Sequence, residues 1–470
     1  MDVLSSGDSL KAAVIVPGGS TTSYAEIHDQ VEGMARTFEK GQAVAMVIGN
    51  NLEFLVTFLA ITRAGGIAAP LNPAYTEDEI RFYMDDLGCR LLVTMPEYTA
   101  AISASRGLGI PVRQPIIGTT PSRLASLPTP QPDDIALLLH TSGTTSRPKA
   151  VPLTHANLMA SVHNIVASYA LGFEDVAQLV MPLFHVHGLI GVALSTLASA
   201  GTLIVTPKFS ARRFWPIQKE TRATWYSAVP TIHQVLLQQA DEDAAPRVSF
   251  RFIRSSSAAL APATQRHLET RFGAPVLQAY GMTEASHQIA STLLPPGERL
   301  YGSVGRGTGP EISIGADSEI LIRGRNVTSG YLRNPVANAE TFVNGWFRTG
   351  DQGVLDDRGQ LTLTGRIKEL VNRGGEKISP MEVDAVLLQH PAVAEAVAFG
   401  APDAKYGEVV HAAVVLRSEC DPEILRTHCR QHLAEFKVPV RIHVTDKVPR
   451  TATGKIQRRH VATLFLGDEA

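Results

Sequence analysis

The sequence predicts an α/β protein: a large N-terminal domain of two doubly wound sheets with a β-rich subdomain, followed by a small α+β C-terminal domain. Three observations predict it. From about residue 41 short β-rich runs alternate with amphipathic helical stretches; between about 300 and 364 the helical periods vanish; and after Gly365-Arg366-Ile367-Lys368 a new pattern begins.

In chain order, the runs Ala43–Ile48, Gly66–Ala69 and Leu91–Thr94 read as strands, with helices over 51–64 and 76–86 between them. Such alternation argues for parallel layers. The rhythm resumes at Ile135–His140 and continues through Leu203–Thr206, Thr224–Ala228, Phe252–Ser255 and Val276–Gln278, each followed by helix-like sequence. Further on, Ile320–Arg323 and Gln360–Thr364 are short strands separated by glycine-bearing turns, which marks the β-rich subdomain. Beyond it come a helix over 380–389, strands over 393–399 and 409–416, a helix over 421–434 and a strand over 441–444. The boundary falls at 365–368, dividing an N-terminal domain, 1–366, from a C-terminal domain, 367–470; a chain of 470 residues exceeds what one core usually organises.

Composition narrows the function classes. Hydrophobic residues make up 44% and charged residues 19%, as in ordinary globular proteins, and a formal net charge of -2 offers no general attraction to nucleic acid or anionic lipid. Cys89, Cys420 and Cys429 are too few and scattered for a disulfide framework or zinc site, which points to a reducing compartment. The first residues lack a signal-peptide pattern, the last lack a Ser-Lys-Leu address, and no apolar run reaches the roughly 18 residues of a membrane span. The expectation is a cytoplasmic protein, monomer or homodimer, acting on small molecules without nucleic acid or membrane partners.

The sharpest motif is Leu138-Leu139-His140-Thr141-Ser142-Gly143-Thr144-Thr145-Ser146-Arg147-Pro148-Lys149, an apolar strand entering a hydroxyl- and glycine-rich turn that ends in lysine, before a helix over 154–169. Gly143 lets backbone N–H groups face inward, the hydroxyls of Thr141, Ser142, Thr144 and Thr145 add donors, and Lys149 adds charge; together they suit the β- and γ-phosphates of ATP. The bland alternative is a serine- and threonine-rich surface loop. The segment resembles the signature of adenylate-forming enzymes, the superfamily of acyl-CoA synthetases, luciferases and peptide-synthetase adenylation domains, and differs from the P-loop of other ATPases. Ala150 departs from it, standing where glycine is usual, so the turn must avoid positive φ or carry strain.

The resemblance extends to further motifs and implies their roles. Tyr280-Gly281-Met282-Thr283-Glu284 would stack its tyrosine on adenine, hydrogen-bond the α-phosphate through Thr283 and hold Mg²⁺ through Glu284; taken alone, a Thr-Glu pair is more often a helix cap. Ser257, Ala258 and Ala259 would also line the nucleotide. Gly345-Trp346-Phe347-Arg348-Thr349-Gly350-Asp351 would bind ribose through Asp351, assisted by Arg366, a carboxylate being a suitable acceptor for a vicinal diol. Pro449-Arg450-Thr451-Ala452-Thr453-Gly454-Lys455-Ile456 would carry the catalytic lysine, Lys455, whose task is charge neutralisation because the attacking carboxylate is already ionised.

In the run Lys368-Glu369-Leu370-Val371-Asn372-Arg373-Gly374-Gly375, Lys368 takes the hinge position of a mobile C-terminal domain, and Gly374 and Gly375 would line a pantetheine tunnel for coenzyme A. Lys437, Arg458 and Arg459 are further candidates for coenzyme A phosphates.

The acyl pocket of this superfamily follows Met181-Pro182-Leu183-Phe184-His185-Val186-His187-Gly188 and includes residues near 255–260 and 280–288, which here are polar: Ser255-Ser256-Ser257 and His287. Long apolar chains would find poor burial there, whereas a short acid with a second carboxylate would fit. Residues 138–300, 365–382 and 449–459 resemble oxalate–CoA ligases, which implies oxalate contacts from His185, Ser257, His287 and Lys455, with His185 also in the catalytic set. His187 and His233 read better as hydrogen-bonded core histidines. Two departures are a short leader before Gly18-Gly19-Ser20 and a trimmed loop, Gly315-Ala316-Asp317-Ser318-Glu319, with serine where glycine is common. The reading is therefore an AMP-forming acid–CoA ligase using ATP, Mg²⁺ and coenzyme A, with malonate or another short acid, a carrier-loading adenylation domain, or an idle AMP-binding scaffold as alternatives.

Overall fold

Two sheets of mainly parallel strands carry the N-terminal body in the computed structural model, which describes residues 3–4, 7–115, 117, 127, 129–141, 148–242, 250–451, 454 and 456–467. The first sheet runs in the order Val112–Arg113, Leu91–Thr94, Ala43–Val47, Ile67–Pro70, Ile135–Thr141 and Lys149–Thr154. Every residue of Ala43–Val47 is buried, as a central parallel strand requires when helices cover both faces. The helix Leu52–Arg63 is apolar nearly all round, with Phe54, Leu55 and Phe58 fully buried, so it lies inside the body instead of on its surface. Asn51 caps it by accepting from the Phe54 N–H at 2.9 Å.

The second sheet has nine strands, ordered Arg306–Gly307, His287–Ser291, Val276–Met282, Phe252–Ser255, Trp225–Ala228, Val176–Leu179, Thr202–Val205, Ala12–Ile15 and Thr21–Ser23. From Val276–Met282 to Ala12–Ile15 all neighbours are parallel, and the antiparallel strands lie outside that run. One apolar core, including Val44, Leu137, Leu179 and Leu203, joins the two sheets. A third, antiparallel sheet is built from Glu311–Ile314, Glu319–Arg323, Phe342–Val343, Trp346–Leu355 and Leu361–Arg366. In its tight loop Asp317 and Ser318 adopt φ of 54° and 57°, so the serine that replaces glycine occupies a left-handed conformation.

The C-terminal sheet comprises Val371–Arg373, Glu376–Ile378, Val393–Asp403, Gly407–Leu416 and Arg441–Val444, packed by the helices Pro380–Leu387 and Pro422–His432 around its own core of Val383, Leu387, Val410 and Leu425. The expected α/β class, with its β-rich subdomain and small α+β unit, is the fold observed. Two features were not expected. Lys149–Thr154 is a strand returning antiparallel to Ile135–Thr141, and Ala12–Ile15 crosses nearly two hundred positions to pair with Thr202–Val205. No helix of the described residues is long and apolar enough to cross a membrane.

Candidate active site

The site lies where the parallel strands of the nine-stranded sheet end, the place where loops at carboxyl strand ends form a crevice. Trp225–Ala228 passes into Val229-Pro230, Phe252–Ser255 into Ser256-Ser257, and Val276–Met282 into a short turn, Thr283–Ala285. The Ser256 N–H donates to the Ala228 carbonyl at 3.1 Å and its hydroxyl donates to the Ala279 carbonyl at 2.9 Å, which ties the three strand ends together.

One half of the candidate site joins two sheets. The Tyr280 hydroxyl donates to Asp351 Oδ2 at 2.7 Å, and Arg366 Nε donates to Asp351 Oδ1 at 2.7 Å. Asp351 and Arg366 are direct cross-strand partners, so the ladder itself sets the arginine beside the carboxylate. Burial and the adjacent Asp351 charge push the Tyr280 phenol well above its usual range, which keeps it a donor. Glu284 accepts from the Tyr331 hydroxyl at 3.0 Å, and the Lys149 ammonium sits 4.6 Å from the centre of the Tyr331 ring. Glu284 has no ion-pair partner among the described residues, and burial raises its carboxyl pKa. The nearby Arg366 and Lys149 charges oppose that shift, and a buried carboxylate with no direct ion pair is chemically suited to a divalent cation.

Thr141 and Lys149 face each other across the antiparallel ladder, and Ala150 pairs with His140 in the same ladder. Ala150 is not among the residues of positive φ, so the missing glycine causes no backbone strain. Ser142, Gly143, Thr144, Thr145 and Lys455 lie outside the described residues. Gly454, next to the lysine, is seated on the strand end: the Thr231 hydroxyl donates to its carbonyl at 3.3 Å, and a Cβ there would approach Val229 Cγ2 to 3.1 Å. Ala258 and Ala259 are exposed, Thr283 is buried, and Ser257 is half-buried with φ of 69°.

The other half is a buried polar network. His187 Nε2 lies 2.7 Å from Ser227 Oγ and its Nδ1 lies 3.0 Å from Ser257 Oγ. The rings of His187 and His287 stack with centroids 5.1 Å apart. Arg254, completely buried, donates to Tyr169, Ser227, His287 and Gln288 at 2.8 to 3.0 Å. Desolvation first, then the Arg254 charge, lowers the pKa of both His187 and His287 well below the usual imidazole value, so both are neutral donors and acceptors. His185 is half-buried, its Nδ1 accepting from the His187 N–H at 3.3 Å. Gly191 makes room for His287: a Cβ there would meet the ring at 2.6 Å.

His233 is a core histidine, bonded to the Tyr226 hydroxyl at 3.1 Å. His187 is hydrogen-bonded as expected, yet its partner Ser257 makes it part of the site wall. Arg254, Ser227, Tyr169 and Tyr331 were not singled out from the sequence; the available signal was a charged residue inside the otherwise buried run Phe252-Ile253-Arg254-Ser255.

Away from this crevice, Lys368 is exposed in the turn Ile367–Glu369, and Gly374 and Gly375 form a two-residue hairpin with φ of 59° and 99°. Arg458 is held by Glu369 at 3.1 Å and Asp384 at 2.8 Å, and Lys437 by Glu382 at 2.8 Å, so both cations are already committed to protein carboxylates.

Residues 7–332 match the family model of AMP-binding enzyme, and residues 382–455 match that of AMP-binding enzyme C-terminal domain. The chain belongs to the AMP-binding enzyme family. This AMP-binding enzyme is 47% identical to an oxalate–CoA ligase of Arabidopsis thaliana, over 97% of this chain and 96% of the relative. It is 42% identical to an oxalate–CoA ligase of Saccharomyces cerevisiae, over 96% and 94% of the two chains. Among solved structures, ATP-bound MatB from Rhodopseudomonas palustris superposes with a TM-score of 0.90 at 30% identity, covering 98% of this chain and 97% of that one.

Proposed function

We propose that this AMP-binding enzyme is an acid–CoA ligase that activates oxalate. The observation that carries the reading is the composition of the acid half: His187, His287 and Ser257, with Arg254 behind them, form a polar wall beside the Tyr280–Asp351–Arg366 nucleotide cluster. An apolar acyl chain would leave the Ser257 hydroxyl and His287 Nδ1 without a partner, whereas a small acid with a second carboxylate satisfies them. The likeness to oxalate–CoA ligases supports the same acid.

In the first half-reaction a carboxylate oxygen of the acid attacks the α-phosphorus of ATP, and the bond to pyrophosphate breaks. Tyr280 and Asp351 orient adenine and ribose, with Arg366 holding the Asp351 carboxylate in place. Thr141, Ser142, Gly143, Thr144, Thr145 and Lys149 cradle the outer phosphates, Ser257, Ala258, Ala259 and Gly281 line the nucleotide, and Thr283 donates to the α-phosphate. Lys455 neutralises charge between acid and phosphate, next to the docked Gly454. Glu284 is the residue that would hold Mg²⁺, which when bound lowers the repulsion between two anions. His185, Ser257 and His287 hold the acid.

In the second half-reaction the thiolate of coenzyme A attacks the acyl carbonyl carbon and AMP leaves. The unit 367–470 turns about Lys368 relative to 1–366, removing Lys455 and bringing the Gly374-Gly375 hairpin toward the thiol. The enzyme works in the cytoplasm on soluble small molecules, as a monomer or homodimer.

Oxalate-dependent exchange of pyrophosphate into ATP, followed by mass detection of oxalyl-CoA after adding coenzyme A, tests acid, mechanism and acceptor together. Release of ADP and orthophosphate in place of AMP and pyrophosphate would rule the mechanism out. An unchanged oxalate KM in His287→Ala would remove the pocket assignment.

A further inference from the structure

Three arginines near the two sheets and the C-terminal unit have carboxylate partners: Arg251 pairs with Asp175, Arg366 with Asp351, and Arg458 with Asp384 and Glu369. Arg254 is different. It is fully buried in the strand Phe252–Ser255 and has no ion-pair partner among the described residues. A guanidinium stays charged at any physiological pH, and a buried charge without a counter-ion is costly, so Arg254 places a positive charge behind the site wall that an anionic ligand would offset.

The hydrogen-bond geometry shows where that charge acts. Arg254 donates only, so Ser227 Oγ, at 3.0 Å from Nη1, accepts from it. The Ser227 hydrogen then points to His187 Nε2 at 2.7 Å, which puts the proton of that neutral ring on Nδ1, directed at Ser257 Oγ at 3.0 Å. The Ser257 hydrogen is left to serve the crevice. On the other side Arg254 Nη2 donates to His287 Nε2 at 2.8 Å, so the proton of the second ring sits on Nδ1, which has no bond to a described residue. Two donors, Ser257 O–H and His287 Nδ1–H, are thereby oriented by one cation. The stacked rings of His187 and His287, with Gly191 packed behind the latter, hold the two chains in register. Ser257 and His287 take φ of 69° and 93°, conformations that residues with side chains adopt mainly where surroundings impose them.

We propose that Arg254 is the positioning residue that makes this site select a dianionic acid over a monoanion of equal size, acting through Ser227 and His187 on Ser257 and directly on His287. The proposal rests on the acid–CoA ligase reading and deepens its choice of acid. The reacting carboxylate is engaged at the α-phosphorus, so only a second anionic group can accept from the two polarised donors and offset the buried charge. A monoanion leaves the guanidinium uncompensated.

The test compares KM and kcat for oxalate and for glycolate, a two-carbon monoanion, in the wild-type enzyme, Arg254→Met, Arg254→Lys and Ser227→Ala. Wild-type enzyme is expected to favour oxalate, Arg254→Met to raise the oxalate KM by roughly 10²-fold and the glycolate KM by far less, and Arg254→Lys to recover part of the preference. Ser227→Ala, a smaller cut that serves if Arg254→Met does not fold, should raise the oxalate KM by about 10-fold and spare glycolate. Equal losses for both acids in the variants would reduce Arg254 to a structural residue and overturn the proposal, as would variants that keep the oxalate preference; the oxalate reading survives both. A wild-type enzyme that does not favour oxalate over glycolate would overturn the two together.

Discussion

Tyr280 donates its hydroxyl hydrogen to Asp351 at 2.7 Å, joining a strand end of the nine-stranded sheet to a strand of the separate antiparallel sheet. The Asp351 carboxylate is therefore positioned by two units, with Arg366 completing the clamp from the neighbouring strand.

That clamp predicts a graded response to mutation. Tyr280→Phe keeps the ring and removes one donor, and should raise the ATP KM by about 5-fold; Asp351→Ala removes the diol acceptor and should lower kcat/KM for ATP by roughly 10²-fold. Pyrophosphate exchange at varied ATP measures both. Equal effects would mean that the hydroxyl and the carboxylate act as one inseparable unit.

The two half-reactions should separate genetically. Lys455→Ala should lower acyl-adenylate formation by roughly 10²-fold while leaving thioester formation from preformed adenylate largely intact. Lys368→Pro, by fixing the backbone at the hinge, should cripple thioester formation more than adenylation. Single-turnover assays of each step decide; parallel losses in both would refute the split.

Gly191→Ala should damage the acid half selectively. The added Cβ would lie 2.6 Å from the His287 ring and 3.4 Å from Arg254 Nη1, so the imidazole must shift. An overpacked site of this kind costs about 1–3 kcal/mol. Oxalate KM should rise by about 10-fold with ATP KM unchanged, and a variant with wild-type oxalate KM would show that His287 has room to move.

Stability should fall on mild acidification. Burial lowers His155 to about 4 and His233 to about 3, and it also lowers His187 and His287 well below 6.5. Unfolded histidines bind a proton below about 6.5 while these folded ones do not, so stability is complete above that pH and declines beneath it by about 1.4 kcal/mol per pH unit per histidine. Urea unfolding at pH 7.5 and 5.0 reads the slope. His233→Gln should reduce the loss over that interval by about 2 kcal/mol, and an unchanged slope would contradict its buried neutral state.

Strand positions such as Leu91–Thr94 and Phe252–Ser255 were legible because a buried parallel strand is a continuous apolar run bounded by helical periods. The proposed nucleotide residues Tyr280, Thr283, Glu284 and Asp351 could be picked out because each sits in a short local motif. Arg254 was not, because its meaning depends on partners at positions 169, 227, 287 and 288, contributed by separate segments. Ala12–Ile15 was missed for a related reason: a short apolar run near the chain start has no local feature naming Thr202–Val205 as its neighbour.

The sequence by itself determined the class of fold, the order of its units and the family to which its local motifs belong, since periodicity and local motifs are properties of neighbouring residues. Only the tertiary structure decided that the Tyr280 hydroxyl donates to Asp351, that Arg458 is spent on Glu369 and Asp384, and that the buried Arg254 guanidinium has no ion-pair partner among the described residues. The physical reason is that charge compensation and desolvation depend on what surrounds a group in space, and chain order does not record it.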